Sequence, residues 1–446
     1  MILLENGKVV TAEKEETGTL VIEDGRIADV LLSTDEYYPE KVLNYKRQAT
    51  ETVDLTGLHV MAGGIDAHVH FREPGLTHKA DMATESQAAL AGGVTSVMDM
   101  PNTSPATTSA RTLKEKILLG QEKSAAGISF HIGATNDNVE EICRMITAGD
   151  PANGITPEDI AGVKVFMGSS TGNMLVDEGE TLERLFSIKE KPVLVHCEDE
   201  ATIRQNLENA LMAYGEDIPF REHENIRSRK ACIKSSIKAL ELAMKHGTQL
   251  VLCHISTKEE IEMTRAAKTA NPRIVAETSC NYLWFCNEDY DRLGSKVKCN
   301  PAIKTAEDRT ALREALADGL IDTIGSDHAP HLLKEKEGTY CKAPSGLPSI
   351  QQSLPVLLTI AHEEGIPLTR IASVFSEKAS EIYRLNKGKI AKGYDADLVV
   401  FDYDKTFVVK SEDQYSKCGW TPYEGAVLRG RIERVYIKGN PHYFPR

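Results

Sequence analysis

Eight short apolar runs, separated by stretches of helical spacing, leave this chain few architectures. They are Gly64 to His70, Thr95 to Met100, Ile128 to Thr135, Gly162 to Met167, Pro192 to Glu198, Gln249 to Ser256, Arg273 to Cys280 and Asp322 to Asp327. Strands that alternate with helices make parallel sheets, because the helix returns the chain to the same edge each time. Eight such units close a (β/α)8 TIM-type barrel, the α/β class expected here. Between the runs, Ala80 to Ala91 and Ser228 to Lys245 place apolar residues at helical spacing. The Gly- and Pro-containing stretch Ala148 to Thr156 reads as a surface loop. No repeat of fixed period and no low-complexity tract interrupts the pattern.

The chain has 446 residues, more than a minimal barrel needs. Its two ends account for the excess. Ile2-Leu3-Leu4, Lys8-Val9-Val10 and Leu20-Val21-Ile22 read as short strands at the start, with a turn at Asp24-Gly25-Arg26. Asp397 to Phe401 and Arg434 to Lys438 read as strands at the end. Neither end has enough apolar surface for a core of its own, so the two are expected to meet in one small β-sandwich domain. The expected division is residues 1–59 and 388–446 for that domain and 60–387 for the barrel.

Charge excludes several partners. A formal net charge of -14 disfavours a nucleic-acid backbone or an anionic membrane. The N-terminus lacks the basic and apolar segments of a signal peptide, and no apolar stretch is long enough to cross a bilayer. Nine cysteines without a CxxC pair point to reduced thiols in the cytoplasm. A small anionic substrate would need cations concentrated locally.

The polar residues on the runs carry the chemistry. His68 and His70 close the first run, and alternation along a strand puts them on one face. Lys164 lies in the fourth run, while His196, His254 and Asp327 stand at the ends of the fifth, sixth and eighth. In a barrel these ends converge on one mouth. A single histidine at a strand end is usually a hydrogen-bonded structural residue, and HxH alone is weak. Four imidazoles and a carboxylate at successive strand ends make a first-row metal site, with zinc preferred. His59, His223, His246, His362 and His442 fall away from strand ends and default to surface or packing roles. His78 and His131 fit either reading.

Lys164 poses a separate question. An ammonium aimed at metal dications would be repelled, so either the side chain turns away or its neutral amine has reacted with carbon dioxide. The resulting carbamate is an anion able to bridge two metals. The expected centre is therefore two zinc ions per subunit, bridged by carbamylated Lys164 and a hydroxide. Spaced ~3.5–4 Å apart, they would activate that hydroxide and polarise a carbonyl. Asp327 would take the proton and pass it to a leaving nitrogen.

Several motifs carry a resemblance. Gly63-Gly-Ile-Asp-Ala-His-Val-His-Phe-Arg-Glu-Pro-Gly75, Met100-Pro-Asn-Thr103, Val195-His-Cys-Glu-Asp199 and Ser326-Asp-His-Ala-Pro-His331 resemble the class I-like dihydroorotase branch of the amidohydrolase superfamily. The closing stretch Gly388 to Val400 resembles the returning strands of that superfamily's β-domain. The resemblance implies reversible ring closure of N-carbamoyl-L-aspartate to L-dihydroorotate in pyrimidine biosynthesis. It assigns the metals to His68, His70, carbamylated Lys164, His196, His254 and Asp327, and the substrate carboxylate to Arg72, Asn102 and His331. Arg72 lies two residues beyond His70, so alternation would put it on the same face, and its planar fork suits a carboxylate. Asn300, in Lys298-Cys-Asn-Pro-Ala302, is expected to help hold the pyrimidine ring. Cys253 and Glu277 stand where some dihydroorotases hold a third zinc; a buried thiol and a hydrogen-bonded acid are the plainer alternative.

One departure bears on the bridge. Many bacterial relatives carry an aspartate in a DDG element, of which Asp177-Glu-Gly179 is only a loose echo. Lys164 is the expected bridge and Asp177 the runner-up. Dihydropyrimidinase, hydantoinase and allantoinase share the metal set, but their rings lack the extra carboxylate that Arg72, Asn102 and His331 would serve. A non-catalytic scaffold for a partner such as aspartate transcarbamoylase should have lost ligands, and all six positions are filled. Association with that enzyme remains compatible with the resemblance, and a symmetric homodimer is the base-rate expectation.

Overall fold

The computed structural model describes residues 1–168 and 174–444. One parallel sheet runs in strict chain order: β1 (Gly64–Val69), β2 (Val94–Asp99), β3 (Gly127–Gly133), β4 (Ile160–Phe166), β5 (Val193–His196), β6 (Leu250–Leu252), β7 (Val275–Thr278) and β8 (Thr323–Ile324). Each strand overlaps one of the eight apolar runs, with β2, β3 and β4 beginning one or two residues before it. Burial on both faces explains why the runs are continuously apolar rather than alternating. β8 is short, so the seam is fastened beyond its end. Val69 bridges His328 in parallel, and the His70 amide donates to the His328 carbonyl at 2.8 Å. Asp66 ties the same seam from inside, accepting from the amides of His68 at 3.0 Å and Ser326 at 3.1 Å. The result is a nearly closed eight-stranded (β/α)8 barrel.

Helices pack around this sheet. Met82–Ala91 and Arg229–His246 begin just inside the limits that periodicity suggests, because Asp81 and Ser228 are the N-cap residues. Asp81 takes the Thr84 amide at 3.0 Å, which satisfies one of the helix's orphan donors. The stretch 148–156 is a turn closed by a bridge between Asp150 and Ile155.

The two chain ends form a separate sheet. Its strands follow the order Asn440–His442, Val427–Ile437, Leu398–Val408, His59–Ala62, Ile2–Val10, Glu15–Glu23 and Arg26–Leu32, with Glu51–Asp54 also paired to Ile2–Val10. Ile2-Leu3-Leu4 and Lys8-Val9-Val10 thus belong to one strand. A register shift between Leu4 and Gly7, at the left-handed Asn6 (φ 62°), separates their pairing. His59–Ala62 joins the two halves and leads directly into β1. Residues 409–426 leave this sheet and reach the barrel mouth, where the Trp420 indole donates to the His331 carbonyl at 2.7 Å. Among the described residues, no helix is long and apolar enough to cross a membrane.

Candidate active site

The strand ends bring together side chains from β1, β4, β5, β6, β7 and β8. His68 Nδ1 meets Glu277 Oε1 at 2.8 Å, across the barrel interior. His70 Nδ1 meets Asn102 Oδ1 at 2.7 Å. With the Glu277 and Asn102 oxygens as acceptors, both rings carry their proton on Nδ1. Both Nε2 lone pairs then face Asp327 Oδ1, at 3.4 Å from His68 and 3.0 Å from His70. Three acceptors converging on one point call for a cation. Ligand atoms of these three residues lie within 4.8 Å of one another. Gly325 lets β8 approach this closely: a Cβ there would lie 2.7 Å from Glu277 Cδ and 2.8 Å from His68 Cβ.

A second convergence lies beside the first. His196 Nδ1 stands 2.9 Å from His254 Nε2, while His196 Nε2 donates to Glu198 Oε2 at 2.9 Å. That bond leaves the Nδ1 lone pair directed at His254. Glu198 is buried and also paired with Arg227. Burial alone would raise its carboxyl, but Arg227 and His196 hold it well below the usual carboxylate range. Among the described residues, His254 Nδ1 and Glu277 Oε2 are buried without a hydrogen-bond partner. Burial also pushes His68 and His254 well down, which keeps both rings in the neutral form that metal ligation requires. The donor set fits a metal centre.

Lys164 is 1% exposed, and its Nζ reaches Cys253 Sγ at 3.5 Å. Among the described residues no carboxylate forms an ion pair with it. Asp177, by contrast, is exposed and bonded to Asn136 Nδ2 at 3.1 Å. Cys253 and Glu277 join His68 in a second group whose ligand atoms fall within 4.8 Å. Burial drives the Cys253 thiol well up and the Glu277 carboxyl to about 7.

The backbone is strained where the function is expected. Arg72 (φ 65°), His254 (φ 40°) and Asp327 (φ 49°) all adopt the left-handed region that side chains other than glycine avoid. Such conformations persist only where surrounding structure over-determines them, and they cluster at active sites.

Arg72 departs from the alternation argument. β1 ends at Val69, and Arg72 lies in a left-handed turn rather than on the strand face of His70. Its guanidinium nevertheless reaches the mouth, donating through Nε to the Pro330 carbonyl at 3.0 Å, with NH2 3.1 Å from His331 Nε2. Burial lowers Arg72 to about 10, still charged at neutral pH. Asn102 stands on the His70 ring, so it orients a candidate ligand as well as lining the mouth. Asn300 Oδ1 is buried and unpartnered among the described residues.

Other histidines take structural posts. His223 is held by the Tyr340 hydroxyl and the Cys299 carbonyl. His131 sits in the barrel core on the Ala67 carbonyl, with burial lowering it to about 3. Sequence reasoning passed over Glu198, Arg227, Lys79 and Trp420. Only Glu198 had a local signal, two residues beyond His196. The others meet the site through contacts distant in sequence.

Fold and site together define a barrel hydrolase of cyclic amides. The sequence profile of the amidohydrolase family matches residues 59–441, and the chain belongs to that family, whose members are generally metal-dependent. It is 35% identical over 385 residues to a dihydroorotase from Methanosarcina acetivorans, covering 84% of this chain and 79% of that protein. An allantoinase from Desulfitobacterium hafniense is 29% identical over 99% of this chain and 95% of its own length. The structure of an L-hydantoinase (dihydropyrimidinase) from Arthrobacter aurescens superposes with a TM-score of 0.89 at 26% identity, covering 99% of this chain and 95% of that one.

Proposed function

We propose that the protein is a dihydroorotase, interconverting N-carbamoyl-L-aspartate and L-dihydroorotate in pyrimidine biosynthesis. The observation that carries this reading is the Arg72–His331 pair, buried beside the histidine and aspartate cluster. It is a site for a carboxylate next to a hydrolytic centre. An allantoinase among the relatives and a hydantoinase as structural neighbour favour a second reading, hydrolysis of a neutral ring. Neither ring class named there would use a buried guanidinium as fully.

The residues that would hold the metal are His68, His70, Lys164 as its carbamate, His196, His254 and Asp327. Two zinc ions held there would supply Lewis acidity to the ring carbonyl and acidify a water near neutral pH. The chain's own residues do the rest. Arg72, Asn102 and His331 hold the substrate carboxylate, and Asn300 offers its buried oxygen to the ring edge. Asp327 takes the proton of the attacking water and returns it to the ring nitrogen as the amide bond breaks. Glu277 and Glu198 orient His68 and His196, an arrangement that fixes ring tautomers in metal sites.

Three outcomes test these assignments. Arg72→Met should raise KM for dihydroorotate about 10- to 100-fold, the effect of losing a charge-assisted hydrogen bond of ~1.5–3 kcal/mol, with metal content intact. Unchanged KM would remove the carboxylate role. Glu198→Gln should weaken zinc affinity about 10- to 100-fold in competition with a chelating dye. Metal analysis should find two zinc ions per chain; three would assign the extra one to His68, Cys253 and Glu277.

A further inference from the structure

His331 meets more donors than one imidazole can serve, and that excess fixes its protonation. Lys79 Nζ lies 3.0 Å from His331 Nδ1, and an ammonium can only donate. Nδ1 is therefore the acceptor, and the ring's proton sits on Nε2. Nε2–H then donates to the Ser345 carbonyl at 3.0 Å. Yet Arg72 NH2 stands 3.1 Å from the same Nε2, and it too can only donate. With Nε2–H spent on Ser345, the Arg72 NH2 keeps a donor that the ring cannot accept, free for an incoming acceptor.

Every element around the ring contributes to this state. Lys79 comes from the segment after β1 and is ion-paired with Glu335 at 3.1 Å, which keeps it aimed. Arg72 flanks the other edge. The short helix Leu333–Lys336 supplies Glu335, 3.7 Å from Nδ1, and the buried Lys336. The segment at Ser345 and Gly346 offers only backbone, and a Cβ on Gly346 would lie 2.9 Å from the His331 ring. Trp420 holds the His331 carbonyl from the C-terminal excursion. Burial, then Arg72, Lys79 and Lys336, drive His331 far below its ordinary value.

We infer that Lys79 is a positioning residue for substrate recognition: it holds His331 neutral, with its proton on Nε2 and turned to Ser345, so that the ring takes no hydrogen bond from Arg72 and the guanidinium keeps an N–H for a carboxylate. This rests on the reading of an acidic ring as substrate. Without Lys79, the Nδ1–H form becomes accessible, donating toward Glu335, and its Nε2 lone pair takes up the Arg72 N–H that the carboxylate needs. Lowering the pH restores Nε2–H by making the imidazolium.

The test compares wild type, Lys79→Met and Lys79→Arg. Lys79→Met should raise KM for dihydroorotate about tenfold at pH 8, with the increase shrinking toward pH 6 and kcat little changed. The inhibition constant of a neutral ring, dihydrouracil, should not move, and Lys79→Arg should restore KM. Equal increases at all pH values, or for both rings, would reduce Lys79 to a structural residue and overturn the inference. Nitrogen NMR of labelled histidine, with His331 assigned through His331→Asn, supplies an arm independent of turnover. Wild type should show a neutral Nε2–H ring that does not titrate between pH 6 and 8.5, and a titrating or Nδ1–H ring would overturn the inference. If that signature is present but the enzyme prefers a neutral ring, the substrate reading fails while the role of Lys79 stands.

Discussion

Asp327→Asn should lower kcat for dihydroorotate ring opening by about 10²- to 10⁴-fold, the range of a lost general acid–base group, while the fold survives. The amide keeps the size of the carboxylate but cannot carry a proton between water and ring nitrogen. The position is sensitive because both candidate ligand histidines of β1 direct Nε2 at this one oxygen. Circular dichroism and thermal melting close to wild type would separate a chemical defect from a structural one. A variant retaining a tenth or more of wild-type kcat would place the proton transfer elsewhere.

Lys164→Ala carries the second large effect. Its ammonium is buried beside a thiol and among imidazoles, without an ion-paired carboxylate among the described residues. A buried, unpaired charge costs several kcal/mol, which a purely structural lysine would have no reason to bear. As a carbamate, the side chain becomes the anion that the surrounding neutral histidines lack. Loss of that bridge should exceed the 10- to 100-fold typical of an outer-shell partner, so activity should fall by more than about 100-fold. Zinc per chain should drop with it, and a short carboxylate such as acetate or propionate, added in solution, should restore part of the rate. Full zinc content and activity in Lys164→Ala would leave the lysine a packing role.

Much of the barrel was legible because burial on both faces writes a strand as a continuous apolar run. The eight runs therefore gave the strand count and placed His68, Lys164, His196 and His254 without any knowledge of contacts. Local periodicity could not go further. It put Arg72 on the strand face of His70, whereas the strand stops at Val69 and a left-handed turn redirects the chain. It also treated the C-terminal residues as members of a β-domain alone. Trp420 meets His331 across 89 residues of sequence, a contact no spacing rule encodes. Lys79 was invisible for a similar reason: a lysine in a loop reads as solvated until the fold brings His331 against it. The charge puzzle of an acidic chain binding an acidic ring has a fuller answer than Arg72, because Lys79 and Lys336 also gather at that end of the mouth.

The central claim is that this hydrolase acts on a ring bearing a carboxylate. It is tested most directly by kcat/KM of the zinc-loaded enzyme on dihydroorotate, dihydrouracil, hydantoin and allantoin under one set of conditions. The predicted result is a clear preference for dihydroorotate that Arg72→Met removes. Preference for any of the three rings without a carboxylate would contradict it.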